Sequence, residues 1–201
     1  MRPSVPICFS RKPQQYISEN HSIQSMTQEM PYTLVKKIGQ LEIRRYPEVI
    51  LAKVMDNRND SGFGLLFQYI NGENRTQRKI AMTAPVITSE RIPMTAPVVT
   101  GKNYMAFVLP ASYTKETVPV PTNPALKIEI QPKKEMAVLR FGGRTTQAQV
   151  EKNIKRLLTL LQDQAMQING DPVLMRYNSP FTPGFLRRNE VAVEIIMINE
   201  A

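Results

Sequence analysis

Hydrophobic and polar residues alternate along much of the chain between positions 32 and 198, and this pattern predicts β-strands. The stretch "YTLVKKIGQLEIRRYP" at 32–47 contains two alternating runs around Gly39-Gln40. Glycine at the first turn position suits a type II′ hairpin. The apolar run "EVILAKVM" at 48–55 predicts a further buried strand, and 104–109 and 190–198 read as strands too.

Two segments change from the strand period to the helix period. Phe63, Leu66, Phe67 and Ile70 have the spacing of one helix face, and Asn71-Gly72 provides an end signal. In the second segment Thr146 and Gln149 form a capping box. Its apolar positions continue from Val150 through Ala165 to Ile168, so a long helix ending at Gly170 is predicted.

A ten-residue phrase occurs twice, as "KIAMTAPVIT" at 79–88 and "RIPMTAPVVT" at 91–100. Alternation places Met82 and Met94 on the apolar faces of two strand segments. Pro85 and Pro97 have no N–H to donate to a neighbouring strand, which restricts them to an edge, a bulge or a strand end. The phrase therefore predicts two bent, proline-ended strands that help to shape a cavity wall.

The two halves of the chain resemble each other. The segments "LEIRRYPEVILAKV" (41–54) and "LKIEIQPKKEMAVLRF" (126–141) share Leu-x-Ile followed by Pro, and each half leads into one amphipathic helix. This order indicates an α+β fold with a pseudo-two-fold repeat. Residues 31–201 form one domain in this interpretation. Residues 1–30, rich in Ser, Gln, Asn and Pro, are expected to be a disordered arm.

Composition excludes several kinds of chemistry. The net charge is +9, but the basic residues are scattered in ones and twos and there is no tryptophan, which disfavours nucleic acid as a partner. The single histidine, His21, lies in the expected arm, so histidine-based metal sites and nucleophilic dyads are disfavoured. No apolar run is long enough to span a bilayer and no secretory signal is visible, so we expect a cytoplasmic, monomeric protein.

Several motifs occur in the order found in one known family. "KIAMTAPV", "IPMTAPVV", "FVLPASYTKETVPVPTNP", "RFGG" and "RYNSPFTPGFLRRNEV" resemble the SOUL haem-binding family, in the bacterial and plant type with the doubled phrase. The resemblance runs from about Tyr32 to Ile195. It implies a distorted antiparallel β-barrel with two flanking helices, built from two βαββ-type halves and similar to the ligand domains of multidrug-sensing regulators.

The resemblance also implies a function and a site. It implies non-enzymatic binding of haem or a related tetrapyrrole, as a carrier or buffer, in an apolar pocket between the first helix and the loop before the last strand. The corresponding residues here, together with three methionines that could add soft contacts, are Met55, Phe63, Leu66, Phe67, Ile70, Met82, Met94, Tyr177, Phe181 and Phe185.

Two departures from the family pattern concern haem itself. The folded region has no histidine to serve as an axial iron ligand, and no protein-held metal site is expected. The first helix has no Lys or Arg between positions 60 and 71 to meet the propionates.

Other functions remain open at the sequence level. An amphipathic ligand other than haem, including a cationic one, would be favoured by an acidic residue in the pocket, for which Glu73 and Glu194 are candidates. An enzyme would be restricted to carboxylate or tyrosine chemistry. A protein partner would use the basic surface or the arm. The Arg187-Arg188-Asn189-Glu190 cluster is expected to pair internally and fix a turn.

Overall fold

The protein combines antiparallel β-structure with two helices, as the sequence predicts. The computed structural model describes residues 28–55, 61–76, 89–179 and 181–196. The helices are α1, Ser61–Ile70, and α2, Gln147–Asp163, with a one-turn 3-10 helix at Gly184–Leu186. The strands are β1 Gln28–Glu29, β2 Thr33–Ile38, β3 Leu41–Tyr46, β4 Val49–Met55, β5 Asn74–Arg75, β6 Thr95–Ala96, β7 Val98–Thr100, β8 Tyr104–Val108, β9 Val120–Pro121, β10 Leu126–Gln131, β11 Lys134–Gly142, β12 Gln167–Ile168, β13 Val173–Arg176 and β14 Arg188–Ile196.

The main sheet is a curled, antiparallel half-barrel. Its strand order is β10-β4-β8-β7-β13-β14-β11-β3-β2, with β12 added beside β14. Strands β3 and β4 follow each other in the chain but do not pair, because β3 pairs with β11 and β4 pairs with β10. This exchange joins the two halves of the chain into one sheet. Closure into a full barrel stays a prediction.

The first hairpin has the predicted turn. Strands β2 and β3 are antiparallel and pair Ile38 with Leu41 across Gly39-Gln40. Gly39 has a φ of 57°, the left-handed region that glycine enters without a steric penalty. The alternating pattern of the sequence therefore fixes both the strands and the turn of this hairpin.

Both helices lie on the same face of the sheet. Helix α1 packs on β4 and β8 through buried residues such as Leu66, Tyr69 and Phe107. Helix α2 packs on β11 and β14 through Leu157 and Leu161. No helix of the described residues lies on the opposite face, which we call the helix-free face. Its apolar cluster comprises Met30, Tyr46, Val49, Leu51, Val99, Ala106, Val108, Met136, Val138, Val173, Met175 and Ala192.

Helix α2 begins as predicted but ends earlier. At its start the Thr146 hydroxyl accepts a hydrogen bond from the Gln149 amide at 3.4 Å. The predicted end at Gly170 is wrong, because the helix stops at Asp163 and Ala165 adopts a left-handed φ of 52°. The Met166 amide donates to Leu161 O at 3.0 Å, the bond that closes a Schellman turn. Ile168 then belongs to β12, paired with Ile195.

The second copy of the repeated phrase breaks at its proline. Thr95 and Ala96 form β6, which pairs in parallel with β1, and Val98 starts β7. Pro97 lies between these strands, at a strand end as its missing N–H requires. The first copy, which includes Met82, lies outside the described residues. Within the described part of the chain, neither helix has the length and apolar character needed to cross a membrane.

We predict that Leu161→Ala destabilises the fold through α2. The Leu161 side chain is 0% exposed, so its truncation should lower the free energy of unfolding by about 2–5 kcal/mol. Thr159→Ala, at an exposed position of the same helix, should change it by less than about 0.5 kcal/mol. Urea denaturation followed by circular dichroism measures both values, and equal midpoints for the two variants would contradict this packing.

Candidate ligand-binding site

The inner side of α1 is part of the hydrophobic core. Leu66 and Ile70, two of the predicted ligand residues, are 0% and 4% exposed and pack with the sheet. Tyr69 is also buried, and its hydroxyl donates to Pro119 O at 2.8 Å. Burial raises the pKa of Tyr69 well above its ordinary value of 10.0. These three side chains therefore hold α1 in place, and a ligand contact for Leu66 or Ile70 stays a prediction.

The outer side of α1 carries a pair of aromatic rings. The rings of Phe63 and Phe67 are nearly parallel, with centroids 6.0 Å apart and an interplanar angle of 15°. Phe63 is also packed edge-on against Phe107 at 5.4 Å, whereas Phe67 is 47% exposed. Gly64 lies between them, and a Cβ added there would meet nothing within 4 Å. Phe63, Gly64 and Phe67 together form what we call the aromatic ledge.

A basic residue that sequence reasoning missed lies near the C-terminal end of α1. The Ile92 amide donates to Ile70 O at 2.8 Å, which brings the segment around Arg91 to the C-terminal end of α1. The Arg91 side chain is exposed, as is Arg75 on β5. Arg91 is far from α1 in sequence, so no local pattern could have placed it there.

The other predicted ligand residues that the structure describes lie at several places in the fold, and Met82 lies outside the described residues. Met55 and Met94 are 61% and 37% exposed. Tyr177 packs against the helix-free face of the sheet, opposite α1. Phe181 and Phe185 are 94% and 85% exposed on the loop before β14. Their roles as ligand contacts stay predictions.

A cleft lies at the end of the sheet near β1. Its volume is about 510 Å³, and apolar side chains such as Met30, Val49 and Ile130 line it. This size falls in the range of small-molecule sites, about 300–1,000 Å³. A second cleft of about 540 Å³ shares Ile50 and Ile130 with the first, so the two form neighbouring parts of one groove beside β10.

Carboxylates outnumber cations around the first cleft. Glu29, Glu48 and Glu116 line it together with Lys115. Glu29 is paired with Arg188 at 2.9 Å, so Glu48 and Glu116 provide most of the local negative charge. The Thr114 hydroxyl donates to Glu116 at 2.8 Å and lowers the pKa of that carboxyl. The cleft therefore presents the ionised carboxylate of Glu116 at neutral pH.

A buried charge cluster lies on the helix-free face. Glu190 is 0% exposed, and Arg44 donates to both of its carboxylate oxygens, at 2.8 and 3.1 Å. Arg188 donates to Oε1 at 2.9 Å and the Tyr177 hydroxyl donates to Oε2 at 2.8 Å. Asn189 donates to Gly143 O at 2.9 Å. The internal role expected of the Arg188-Asn189-Glu190 segment is confirmed.

The environment shifts the titration of this cluster. Burial raises the pKa of Glu190, but the charges of Arg44 and Arg188 and their hydrogen bonds outweigh burial, so the pKa lies below its usual 4.5. Burial lowers the pKa of Arg44, and Glu190 with Tyr46 more than reverses this. Burial raises the pKa of Tyr46 to about 12. Glu190 is therefore a fully paired structural carboxylate with little capacity to receive a ligand.

The two carboxylates considered from the sequence lie at the surface rather than in a pocket. Glu73 is exposed, and Glu194 accepts from Asn169 at 2.6 Å and lies 3.7 Å from Lys134. Among the described residues, no group of three acidic, histidine or cysteine side chains is placed to hold a metal ion. The structure points instead to two apolar surfaces, the aromatic ledge and the groove.

Sequence comparison identifies the family of the chain. The family model described as SOUL heme-binding protein matches residues 27–194, so the chain belongs to the SOUL heme-binding family. None of the curated proteins compared with the chain matches it.

Solved structures share the fold at very low identity. The EcmrR C-terminal domain has a TM-score of 0.51 and 7% identity, covering 79% of this chain and 98% of its own. A hydrolase from Listeria innocua has a TM-score of 0.50 and 10% identity, covering 81% of this chain and 94% of its own. At these identities the likeness shows the fold alone.

We predict that Glu190→Gln strongly destabilises the protein. The change removes the buried carboxylate that Arg44 and Arg188 share and leaves Arg44 paired with Glu42 and Arg188 paired with Glu29. Breaking a buried ion pair costs about 3–5 kcal/mol in the free energy of unfolding. Because the folded pKa of Glu190 is lowered from 4.5, its contribution is present above pH 4.5 and is lost as the pH falls further. Below pH 4.5, the free energy of unfolding should therefore fall less steeply with decreasing pH in the variant than in wild type.

Glu129→Gln is the matched control. Glu129 pairs with Lys53 at 2.8 Å, but its side chain is 50% exposed. Loss of this surface pair should cost less than about 1 kcal/mol. Chemical denaturation at several pH values measures both variants, and a Glu190→Gln protein as stable as the control would contradict the structural role of the cluster.

Proposed function

We propose that the protein binds haem or a related tetrapyrrole on the aromatic ledge. Membership of the SOUL heme-binding family is the observation on which this proposal mainly rests. The ledge supports it, because a porphyrin is a flat apolar plate and needs a flat apolar surface. The exposed ring of Phe67, stacked on Phe63, offers such an apolar face, and a side chain at Gly64 would meet open space. Exposed aromatic area of this kind is a recognised mark of a binding surface.

The charged groups around the ledge suit a ligand with carboxylates. Helix α1 has no acidic residue in its first turn, and its sequence SGFGLLFQYI has no charge at all. Among the described residues, Arg91 and Arg75 lie near its C-terminal end and are cations available to propionates. The described residues contain no histidine, so the porphyrin plate rather than an axial imidazole would provide the binding energy. Haem iron would supply its own coordination chemistry when bound.

The other predicted ligand contacts are proposed independently of the ledge. Met55 is the last residue of β4 and is exposed, so its thioether is available for soft contacts. Met82, Met94, Tyr177, Phe181 and Phe185 are retained as proposed contacts that require separate tests. We also propose a non-enzymatic role as a carrier or buffer, and a monomeric, cytoplasmic protein without a nucleic-acid partner. The family description supports binding as the function.

We also propose that the chain contains an internal repeat and that its sheet closes into a β-barrel. The exchange of strands, with β3 beside β11 and β4 beside β10, is the arrangement that two similar halves would produce. The doubled Met-Thr-Ala-Pro-Val phrase, which we assign to the bacterial and plant type of the family, would then occupy the cavity wall of the first half.

We predict that Gly64→Leu and Phe67→Ser each weaken hemin binding by at least about tenfold, since one blocks the ledge and the other removes half of its aromatic surface. Gly64→Ala is the control, because alanine and leucine both favour the helix over glycine by roughly 0.8–1 kcal/mol, whereas only leucine adds a large side chain. Titration of the purified protein, followed at the Soret band, measures the affinity. Wild-type affinity in both Gly64→Leu and Phe67→Ser would place the tetrapyrrole elsewhere or exclude it.

The acidic cleft favours a second candidate, a binder of amphipathic cations. Glu48 and Glu116 attract positive charge, and the apolar lining accepts a hydrophobic body. A tetrapyrrole dicarboxylate would be repelled by the same residues. This candidate and the first one use different surfaces, so one does not exclude the other.

We predict that the doubly substituted protein Glu48→Gln/Glu116→Gln binds tetraphenylphosphonium about two- to tenfold more weakly than wild type, because exposed charges contribute modestly. Lys115→Gln should strengthen the same interaction. Glu151→Gln on α2 is the remote control. Isothermal titration calorimetry measures the three effects, and a cation that binds all proteins equally, or none, would eliminate the second candidate.

A further inference from the structure

The loop that precedes β14 projects three large apolar side chains into solvent. Phe181 is 94% exposed, Phe185 is 85% exposed and Leu186 is 53% exposed. A soluble protein gains nothing from phenylalanine rings that remain almost fully hydrated, since burial of such a ring is worth roughly 1.5–3 kcal/mol. Contiguous exposed apolar side chains of this kind mark an interaction surface. We call residues 181–187 the phenylalanine loop.

Hydrogen bonds within the phenylalanine loop hold its backbone in this outward arrangement. The Leu186 amide donates to Pro183 O at 3.0 Å, and the Arg187 amide donates to Gly184 O at 3.1 Å. The Arg187 side chain also donates to Thr182 O at 2.7 Å. At the base, the Arg188 amide donates to Asn178 Oδ1 at 2.7 Å. The apolar side chains are therefore presented on a built turn.

The phenylalanine loop rests against the turn between β11 and α2. A Cβ at Gly184 would lie 3.3 Å from Cγ of Arg144, and one at Gly142 would lie 3.6 Å from Arg187 O. The close approach of Arg144 places its stem directly beside the 3-10 turn that displays Phe185. The loop is therefore a fixed projection with an arginine at its side.

The charge around the phenylalanine loop is positive. Arg144 and Arg140 are exposed near its base, and Arg187 belongs to the loop itself. The nearest carboxylates are already paired, because Glu190 is bound by Arg44 and Arg188, and Glu29 is bound by Arg188. The whole chain has a net charge of +9. An anionic surface therefore complements this end of the molecule.

The shape of the phenylalanine loop selects among anionic partners. Its apolar side chains stand on a convex tip, and a convex tip cannot enclose a small molecule as a pocket does. Aromatic and aliphatic side chains flanked by basic residues are the pattern that inserts into the boundary between headgroups and acyl chains. We propose that the protein docks on anionic lipid bilayers through this loop, with Phe181, Phe185 and Leu186 inserted and Arg144 and Arg187 at headgroup level.

Vesicle binding by the full chain tests this proposal. Wild type should bind vesicles of phosphatidylcholine with phosphatidylserine, bind pure phosphatidylcholine vesicles much more weakly, and lose affinity as salt rises. Phe181→Ser/Phe185→Ser should weaken binding to the anionic vesicles by at least about tenfold. Arg144→Gln should weaken it about fivefold, since one basic residue near such a surface is worth about 1 kcal/mol. Circular dichroism verifies that each variant is folded.

Phe67→Ser is the matched control and separates this proposal from the tetrapyrrole site. It removes an exposed phenylalanine from α1 and should leave vesicle binding unchanged while it weakens hemin binding. The loop variant should lose most of its binding to anionic vesicles, whatever its affinity for hemin. Docking on lipid is overturned if wild type does not prefer anionic vesicles or if the loop variant binds them like wild type. It is also overturned if the loop variant keeps vesicle binding and loses only hemin binding, or loses only a self-association detected by sedimentation.

Discussion

The buried carboxylate of Glu190 is the constraint on which the helix-free side of the molecule depends. An ionised carboxylate without solvent is stable only if it is paired and fully hydrogen-bonded. Arg44 from β3, Arg188 from β14 and Tyr177 after β13 together meet that requirement. Arg188 also pairs with Glu29 in β1, so the same network holds the strand that lines the first cleft. One charge thus organises the sheet, the cleft wall and the base of the phenylalanine loop.

The two faces of the sheet have different roles as a consequence. The face with α1 and α2 is filled by apolar packing, and the outer side of α1 remains open for a flat ligand. The other face contains the charge cluster, whose carboxylate is already used. A ligand with carboxylates is therefore better matched to α1 and Arg91, and a cationic ligand to the groove with Glu48 and Glu116.

Local patterns predicted the elements of the fold well. Alternation and a glycine located the β2–β3 hairpin, and the helix period located α1 and the start of α2. The end of α2 could not be predicted, because the left-handed residue that follows it is Ala165. Glycine is the usual residue at that position, so alanine gives no end signal. Pairing between distant strands, which brings Arg44 to Glu190, has no local signature either.

The candidate site was predictable only in part. Phe63 and Phe67 were found from their spacing, but that spacing could not show that Phe67 faces outward while Leu66 and Ile70 are buried. Arg91 was missed because a single long-range backbone hydrogen bond, from Ile92 to Ile70, places it near α1. The groove was missed because it arises where β1, β4 and the segment around Tyr113 meet.

The central claim is that α1 presents the tetrapyrrole-binding surface of this SOUL family protein. Chemical-shift mapping with diamagnetic zinc protoporphyrin tests it most directly, because each backbone amide reports its own environment. The account predicts saturable shifts concentrated on Phe63, Gly64, Phe67 and Arg91. Shifts confined to the groove around Ile130 and Lys115, or no saturable shifts at all, would contradict it.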